Sequence, residues 1–142
     1  MKYLRYTLFT MMVAFVATTA NAKSVVTPKA YMFGFVANFS DSVVYMTDIQ
    51  TVDSVWYDTK TKFLLGRSVY SNQLRQYFAN TLNQPNRTCI VIFALKRKDI
   101  EKKFLKLRKE YTGKKVRYDV RTLNENEFHF TPVNMAPEKE EE

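Results

Sequence analysis

The chain has 142 residues, of which 46% are hydrophobic, 15% aromatic and 25% charged, and its formal net charge is +8. This composition is typical of a globular protein, and the length accommodates one domain of modest size. A single Cys and a single His exclude an internal disulfide framework and an ordinary zinc cluster. The three glycines, Gly34, Gly66 and Gly113, fit neither the dinucleotide-binding nor the P-loop phosphate motif.

Residues 1–22 have the pattern of a cleaved secretory signal peptide. Lys2 and Arg5 precede an apolar run from Thr7 to Ala17, and Ala20-Asn21-Ala22 supplies an A-x-A cleavage site. The alternative, a membrane anchor, needs about 20 apolar residues, roughly twice the length of this run. No Cys lies near the cleavage site, which argues against a lipoprotein. We therefore expect an exported protein, periplasmic or secreted, with no transmembrane segment after signal cleavage.

The pattern of residues 30–57 predicts strands joined by a short turn. Apolar and aromatic residues occupy both alternating faces of residues 31–36, so this strand is expected to be covered on both sides. Asn38–Ser42 supplies turn-forming side chains, and Val43–Thr47 resumes the β-branched and aromatic composition of a strand. This pattern predicts a hairpin. A third short strand is expected at residues 52–57.

Two helices are predicted further along the chain. The first runs from about Ser71, a candidate N-cap, to Asn83, because apolar residues recur every four positions along one face. The second runs from Asp99, also a candidate N-cap, to Thr112, with Gly113 as its C-terminal stop. Its apolar stripe lies opposite several of its lysines, which is the pattern of a helix packed on one side.

Further strands are predicted before and after the second helix. Residues 88–95 form a nearly uninterrupted apolar segment, which predicts a buried, central strand. Residues 116–122 alternate apolar and charged side chains, the pattern of a half-exposed strand, and residues 128–130 could add a short last strand. If 88–95 and 116–122 are parallel, the helix between them makes a right-handed crossover.

The order of these elements predicts an α+β fold. We expect a two-layer, mixed β-sheet of four to six strands with two helices packed on one face. The predicted organisation is a signal peptide at residues 1–22, a single α+β domain at 23–133 and a disordered acidic tail at 134–142.

Positive charge is concentrated between Lys96 and Arg121. This segment contains twelve basic and four acidic residues, a net charge of +8, so the charge is a local field instead of an average property of the chain. The predicted binding residues, called the basic surface below, are Lys96, Arg97, Lys98, Lys102, Lys103, Lys106, Lys109, Lys114, Lys115, Arg117 and Arg121. The alternative interpretation is the solvated back of an amphipathic helix.

The basic surface predicts an acidic partner, either a component of the cell envelope or a protein. Nucleic acid is disfavoured, because export removes the protein from it and no helix-turn-helix, zinc-finger or RNP-like motif occurs. The leading hypothesis is an exported, non-enzymatic domain that binds or scaffolds an envelope component. The alternatives are a module that binds a glycan or other polyanion, and a small enzyme whose site is not visible in the sequence.

Candidate catalytic groups are few, and none is assigned a catalytic, metal-binding or cofactor-binding role. Cys89 lies inside an apolar strand, where a thiol behaves as a small hydrophobe. His129 alternates with two phenylalanines and is expected at the surface. A dyad of these two residues would need an accessible thiol. The candidate carboxylate pairs, each in turn-like or strand-end sequence, are Asp53 with Asp58 and Glu125 with Glu127.

Two segments of the chain resemble known sequences. Residues 39–50 and 87–98 are similar to small exported proteins of unknown function from gram-negative, gut-type bacteria. The resemblance implies export and a single-domain architecture. It carries no motif that is tied to an activity.

Overall fold

One long strand organises the sheet. The computed structural model describes residues 23–113, 115 and 117–136, and the strands within them are β1 (Ser24–Ala37), β2 (Val43–Thr47), β3 (Gln50–Asp58), β4 (Thr88–Ala94) and β5 (Asp119–Leu123). The helices are α1 (Arg67–Asn80) and α2 (Arg97–Thr112). The predicted α+β class, with a mixed sheet of four to six strands and two helices, is confirmed. The predicted signal peptide, and the predicted tail from residue 137 onward, lie outside the described residues.

Strand β1 is paired along both of its edges. Tyr31 lies opposite Ala94 of β4 on one edge and opposite Thr51 of β3 on the other. β2 continues the line of β3, so that Phe35 of β1 lies opposite Met46, as the predicted hairpin requires. β2, β3 and β4 are antiparallel to β1, and β5 adds to β2 in parallel. Four strands therefore share one direction, and β1 runs against them all.

A β-bulge separates β2 from β3. The pairing register with β1 shifts by one residue between the two strands, so three residues there oppose two of β1. Gln50 follows this bulge, and its buried amide donates to the Phe128 carbonyl and accepts from the Phe130 N–H, both at 2.8 Å. The strand predicted at residues 128–130 is therefore not formed. One side chain holds this segment, and its two phenylalanines are buried.

The two faces of the sheet carry separate apolar cores. Even-numbered residues of β1, such as Met32 and Val36, pack with Leu74 and Phe78 of α1. Odd-numbered residues pack against α2, where the rings of Phe33 and Phe104 are 5.1 Å apart. The two sets alternate because successive side chains of a strand point to opposite faces.

The expectation that both helices pack on one face is therefore corrected, since one helix covers each face. The physical reason lies in the two crossovers. The connection through α1 joins β3 to the parallel strand β4 across β1, and the connection through α2 returns across β1 and β2 to the parallel strand β5. Two crossovers of the same hand that travel in opposite directions place their helices on opposite faces.

Both helices begin earlier than predicted. Helix α1 starts at Arg67, and Ser71 lies inside it. Gly66 occupies the N-cap position with a φ of 70°, a left-handed conformation that glycine adopts without strain. Tyr70 in the first turn is fully buried, so packing extends the helix beyond the polar residue that marked its predicted start. Asp99 lies within the first turn of α2, where a carboxylate interacts favourably with the helix dipole.

Strand β4, predicted as central, lies at the edge of the sheet. Within the described residues it pairs with β1 alone, and Ile90 is 43% exposed. Its apolar character comes from the two helices, which cover its opposite faces, and not from a second strand neighbour. Cationic side chains bind its carbonyls: Arg67 donates to Val91 at 2.6 and 3.0 Å, and Lys103 donates to Phe93 at 3.2 Å. Such cations hinder the addition of a foreign strand.

Removing these two cations should promote self-association through β4. We expect the double variant Arg67→Ala/Lys103→Ala to show a higher average mass than the wild type at high protein concentration. The β4 carbonyls that these cations bind would then be free to accept hydrogen bonds from a strand of another molecule. Sedimentation velocity over a concentration series measures this. The control Arg75→Ala/Lys102→Ala removes one exposed cation from each helix, and neither of these side chains donates to a β4 carbonyl. Equal mass for both variants would show that the cations do not protect the edge.

Gly34 is the point of closest approach between β1 and α1. A Cβ here would overlap the Leu74 side chain and lie 3.2 Å from Thr47 Cγ2. We expect Gly34→Ala to lower the free energy of unfolding by about 1–3 kcal/mol, the usual cost of overpacking a core. Urea denaturation measures the change. Gly113→Ala is the control, because its Cβ would meet no atom closer than 3.4 Å, and its effect should stay within about 0.5 kcal/mol.

Candidate functional site

The outward side of α2 carries a row of exposed lysines. At 100° per residue, Lys98, Lys102, Lys106 and Lys109 fall on the side opposite Ile100, which is fully buried against the sheet. These four residues are called the α2 stripe. The packing of α2 on the odd-numbered side of β1 thus fixes which of its cations face solvent.

The cations of the α2 stripe have no acidic partners in the described part of the chain. The one ion pair on α2 within the described residues joins Arg97 and Glu101 at 2.9 Å, and both side chains are exposed. Exposed pairs of this kind contribute little stability. The remaining positive charge of the α2 stripe is therefore free to attract an anion, subject to screening by salt.

A cleft of about 430 Å³ lies at the start of α2 and is called the lysine cleft. Its apolar floor includes Phe93 and Leu95, and one acid, Asp99, contributes to its wall. Four lysines line this space, namely Lys62, Lys96, Lys102 and Lys103, and the Lys103 ammonium group also donates to the Phe93 carbonyl. A charged rim above an apolar floor can hold an anion that also carries an apolar part.

Lys62 was not among the residues predicted for the basic surface. It lies in the loop between β3 and α1, and its ammonium group is 5.7 Å from the centroid of the Tyr57 ring. Only the crossover through α1 and β4 brings this loop to the start of α2. No local sequence signal could have grouped Lys62 with residues 96–103, because its own segment is a short polar turn.

The predicted basic surface does not form one continuous patch. Its residues on α2, together with Lys96, Lys115 and Arg117, are all exposed, and Lys114 lies outside the described residues. Arg121 is on the other face of the sheet, where its guanidinium carbon lies 5.9 Å from the centroid of the Tyr45 ring. Alternation along β5 is the reason, since Val120 faces α2 and Arg121 points the opposite way.

A second cleft, of about 340 Å³, lies beside Arg121 and is called the polar cleft. Its base contains Arg87, whose side chain is only 6% exposed. Arg87 pairs with Asp41 at 2.9 Å, donates to the Val43 carbonyl at 2.9 Å and donates to the Gln84 side chain. This arginine joins the β1–β2 turn to the loop before β4. The sequence did not single out Arg87, because no local pattern distinguishes an arginine that becomes buried from an exposed arginine in a polar loop.

Cys89 and His129 lie in different environments, since the thiol is buried and the imidazole is exposed. The thiol of Cys89 is buried among apolar residues, and this burial raises its pKa to about 11, although Arg75 and Arg87 oppose the shift. His129 is exposed, as predicted, between two buried phenylalanines. The thiol is therefore protonated at neutral pH and lacks the access that a nucleophile needs.

Two of the four candidate carboxylates, Asp58 and Glu127, stabilise turns. Asp58 accepts hydrogen bonds from the N–H groups of Lys60 and Thr61, and the bond from Thr61 is the main cause of its lowered pKa. Glu127 accepts from the Asn124 N–H at 2.9 Å. Asp53 and Glu125, the other members of the two pairs, are exposed.

Among residues 23–113, 115 and 117–136, no group of three or more His, Cys, Asp or Glu could hold a metal ion. In the same part of the chain, neither helix combines the length and the apolar character needed to cross a membrane.

Comparison of the chain with protein-family models, curated proteins and solved structures finds no match in any of the three.

Burial of Cys89 predicts slow reaction with a water-soluble disulfide reagent. At pH 8 a thiol with a pKa of about 11 is ionised in roughly one molecule in a thousand, against about a quarter for an unperturbed thiol. Labelling with Ellman's reagent should therefore be slow in buffer and become fast in denaturing urea. Rapid stoichiometric labelling of the folded protein would contradict this and revive the enzyme alternative.

Proposed function

We propose that this protein is an exported, non-enzymatic domain that binds an acidic component of the cell envelope through the α2 stripe and the lysine cleft. The observation that carries the proposal is the row of four exposed lysines on α2, none of which has an acidic partner among the described residues. Export rests on the signal-peptide pattern of residues 1–22.

The charge pattern of α2 supports binding over mere solubility. A helix that only needs a solvated back mixes charges of both signs. On the side opposite Ile100, α2 presents the four lysines of the α2 stripe and the exposed Leu105, and no acid. The acids of the helix lie at its flanks, where Glu101 is already paired with Arg97. The apolar side of α2 supplies its packing, so the fold does not require this concentration of one sign.

The lysine cleft adds geometry to the charge. Two of its lysines, Lys96 and Lys102, come from the start of α2, and Lys62 comes from a separate loop. Cations from separate elements around one concave space can contact an anionic group from several directions. Such focusing of positive potential raises the rate of association with anions, and it weakens as ionic strength rises.

Reversing the charge of the α2 stripe tests the proposal. The variant Lys98→Glu/Lys102→Glu/Lys106→Glu/Lys109→Glu leaves Lys103, which binds the β4 edge, in place. The control Lys23→Glu/Lys29→Glu/Lys60→Glu/Arg75→Glu makes the same change in net charge at exposed positions elsewhere. The measurement is capture of acidic components from chemically cross-linked cell envelopes, identified by mass spectrometry.

We expect the wild type and the control to capture the same acidic component in similar amounts. The α2 stripe variant should capture at least about tenfold less of it. Capture by the wild type should also fall as salt is raised before cross-linking. Thermal unfolding checks that each variant is folded. Equal losses in both variants would mean that only net charge matters, and unchanged capture by both would overturn the proposal.

A further inference from the structure

The polar cleft, on the opposite face of the sheet from the α2 stripe, is already organised for a ligand. Arg87 is held by three acceptors, and the Gln84 amide that accepts from it also donates to the Tyr45 hydroxyl at 3.4 Å. Arg121 approaches the same hydroxyl at 3.5 Å. These hydrogen bonds hold the base of the cleft in one arrangement, and preorganisation of this kind lowers the entropy cost of association.

The rim of the polar cleft presents unused carboxamides. Asn83 and Asn86 are exposed there, and neither side chain makes a hydrogen bond to the described part of the chain. Asn38 also contributes, since its Oδ1 accepts from the Ser40 N–H while its amide nitrogen donates to no described residue. Each carboxamide offers a donor and an acceptor side by side in one plane.

Charge in the polar cleft is largely compensated, in contrast to the lysine cleft. Arg87 is paired with Asp41, and Arg121 is paired with Asp119. A ligand gains little here from a negative charge. It gains from hydroxyl groups that can donate and accept at once, spaced to meet several carboxamides.

We propose that the polar cleft binds an uncharged saccharide, with neighbouring ring hydroxyls bonded to the carboxamides of Asn83 and Asn86 and to the Arg121 guanidinium. The cleft volume of about 340 Å³ is at the lower end of small-molecule sites, which suits a small saccharide. This proposal is independent of the α2 stripe, because it rests on other residues on the other face of the sheet.

NMR titration of the folded protein with free sugars tests the proposal. The probes are glucose, galactose, mannose and N-acetylglucosamine, with sodium glucuronate and inorganic phosphate as charged comparisons. We expect chemical-shift changes at residues 83–87 and at Arg121 with at least one uncharged sugar. Absence of shifts with all four uncharged sugars, or shifts with the charged probes alone, overturns the proposal.

The variant Asn83→Asp/Asn86→Asp removes two amide donors at nearly constant shape and tolerates the left-handed backbone of residue 83, whose φ is 52°. It should weaken sugar binding at least about tenfold. The control Asn72→Asp/Asn126→Asp makes the same chemical change at exposed positions outside the cleft and should bind as the wild type does. Unchanged binding by the cleft variant would also overturn the proposal.

The two proposed sites can fail separately. The α2 stripe variant should bind the sugar normally, and Asn83→Asp/Asn86→Asp should still capture the acidic envelope component. Loss of sugar binding in the α2 stripe variant would contradict a separate saccharide site.

Discussion

The central position of β1 is the constraint on which the rest of the structure depends. This strand of fourteen residues pairs through residues 31–37 with β4 on one edge, and on the other edge it pairs with β2 and β3 in line. Both of its faces are buried over much of its length, so its side chains must satisfy two cores at once. Small residues are needed where a helix comes closest, as at Gly34 beneath Leu74. Close packing of this kind makes a change of one methyl group matter.

The direction of the chain across β1 determines where its functional surfaces lie. The crossovers through α1 and α2 travel in opposite senses, so the helices cover opposite faces. The lysines of α2 consequently face solvent on one side of the sheet. Arg121, only nine residues after the helix ends, joins Arg87 and Tyr45 on the other. Alternation along a single strand thus divides a basic segment that is continuous in the sequence between two separate environments.

The sequence predicted local structure better than position in the sheet. The hairpin of β1 and β2, both helices and the exposure of His129 follow from patterns a few residues long. The apolar run of β4 indicated two covered faces, but coverage by helices and coverage by a central position look alike in a sequence. The segment at residues 128–130 has the aromatic alternation of a strand, yet Gln50, far away in the chain, bonds its backbone instead.

By itself, the sequence determined the fold class, the concentration of positive charge on one helix and the exposed side of that helix, because these depend on composition and on periodicities within single elements. Only the tertiary structure decided that the helices lie on opposite faces, that Lys62 joins the lysine cleft and that Arg87 is buried beneath a polar cleft. Each of these depends on which distant segments meet, and pairing between strands and the hand of crossovers settle that without leaving a local trace in the residues concerned.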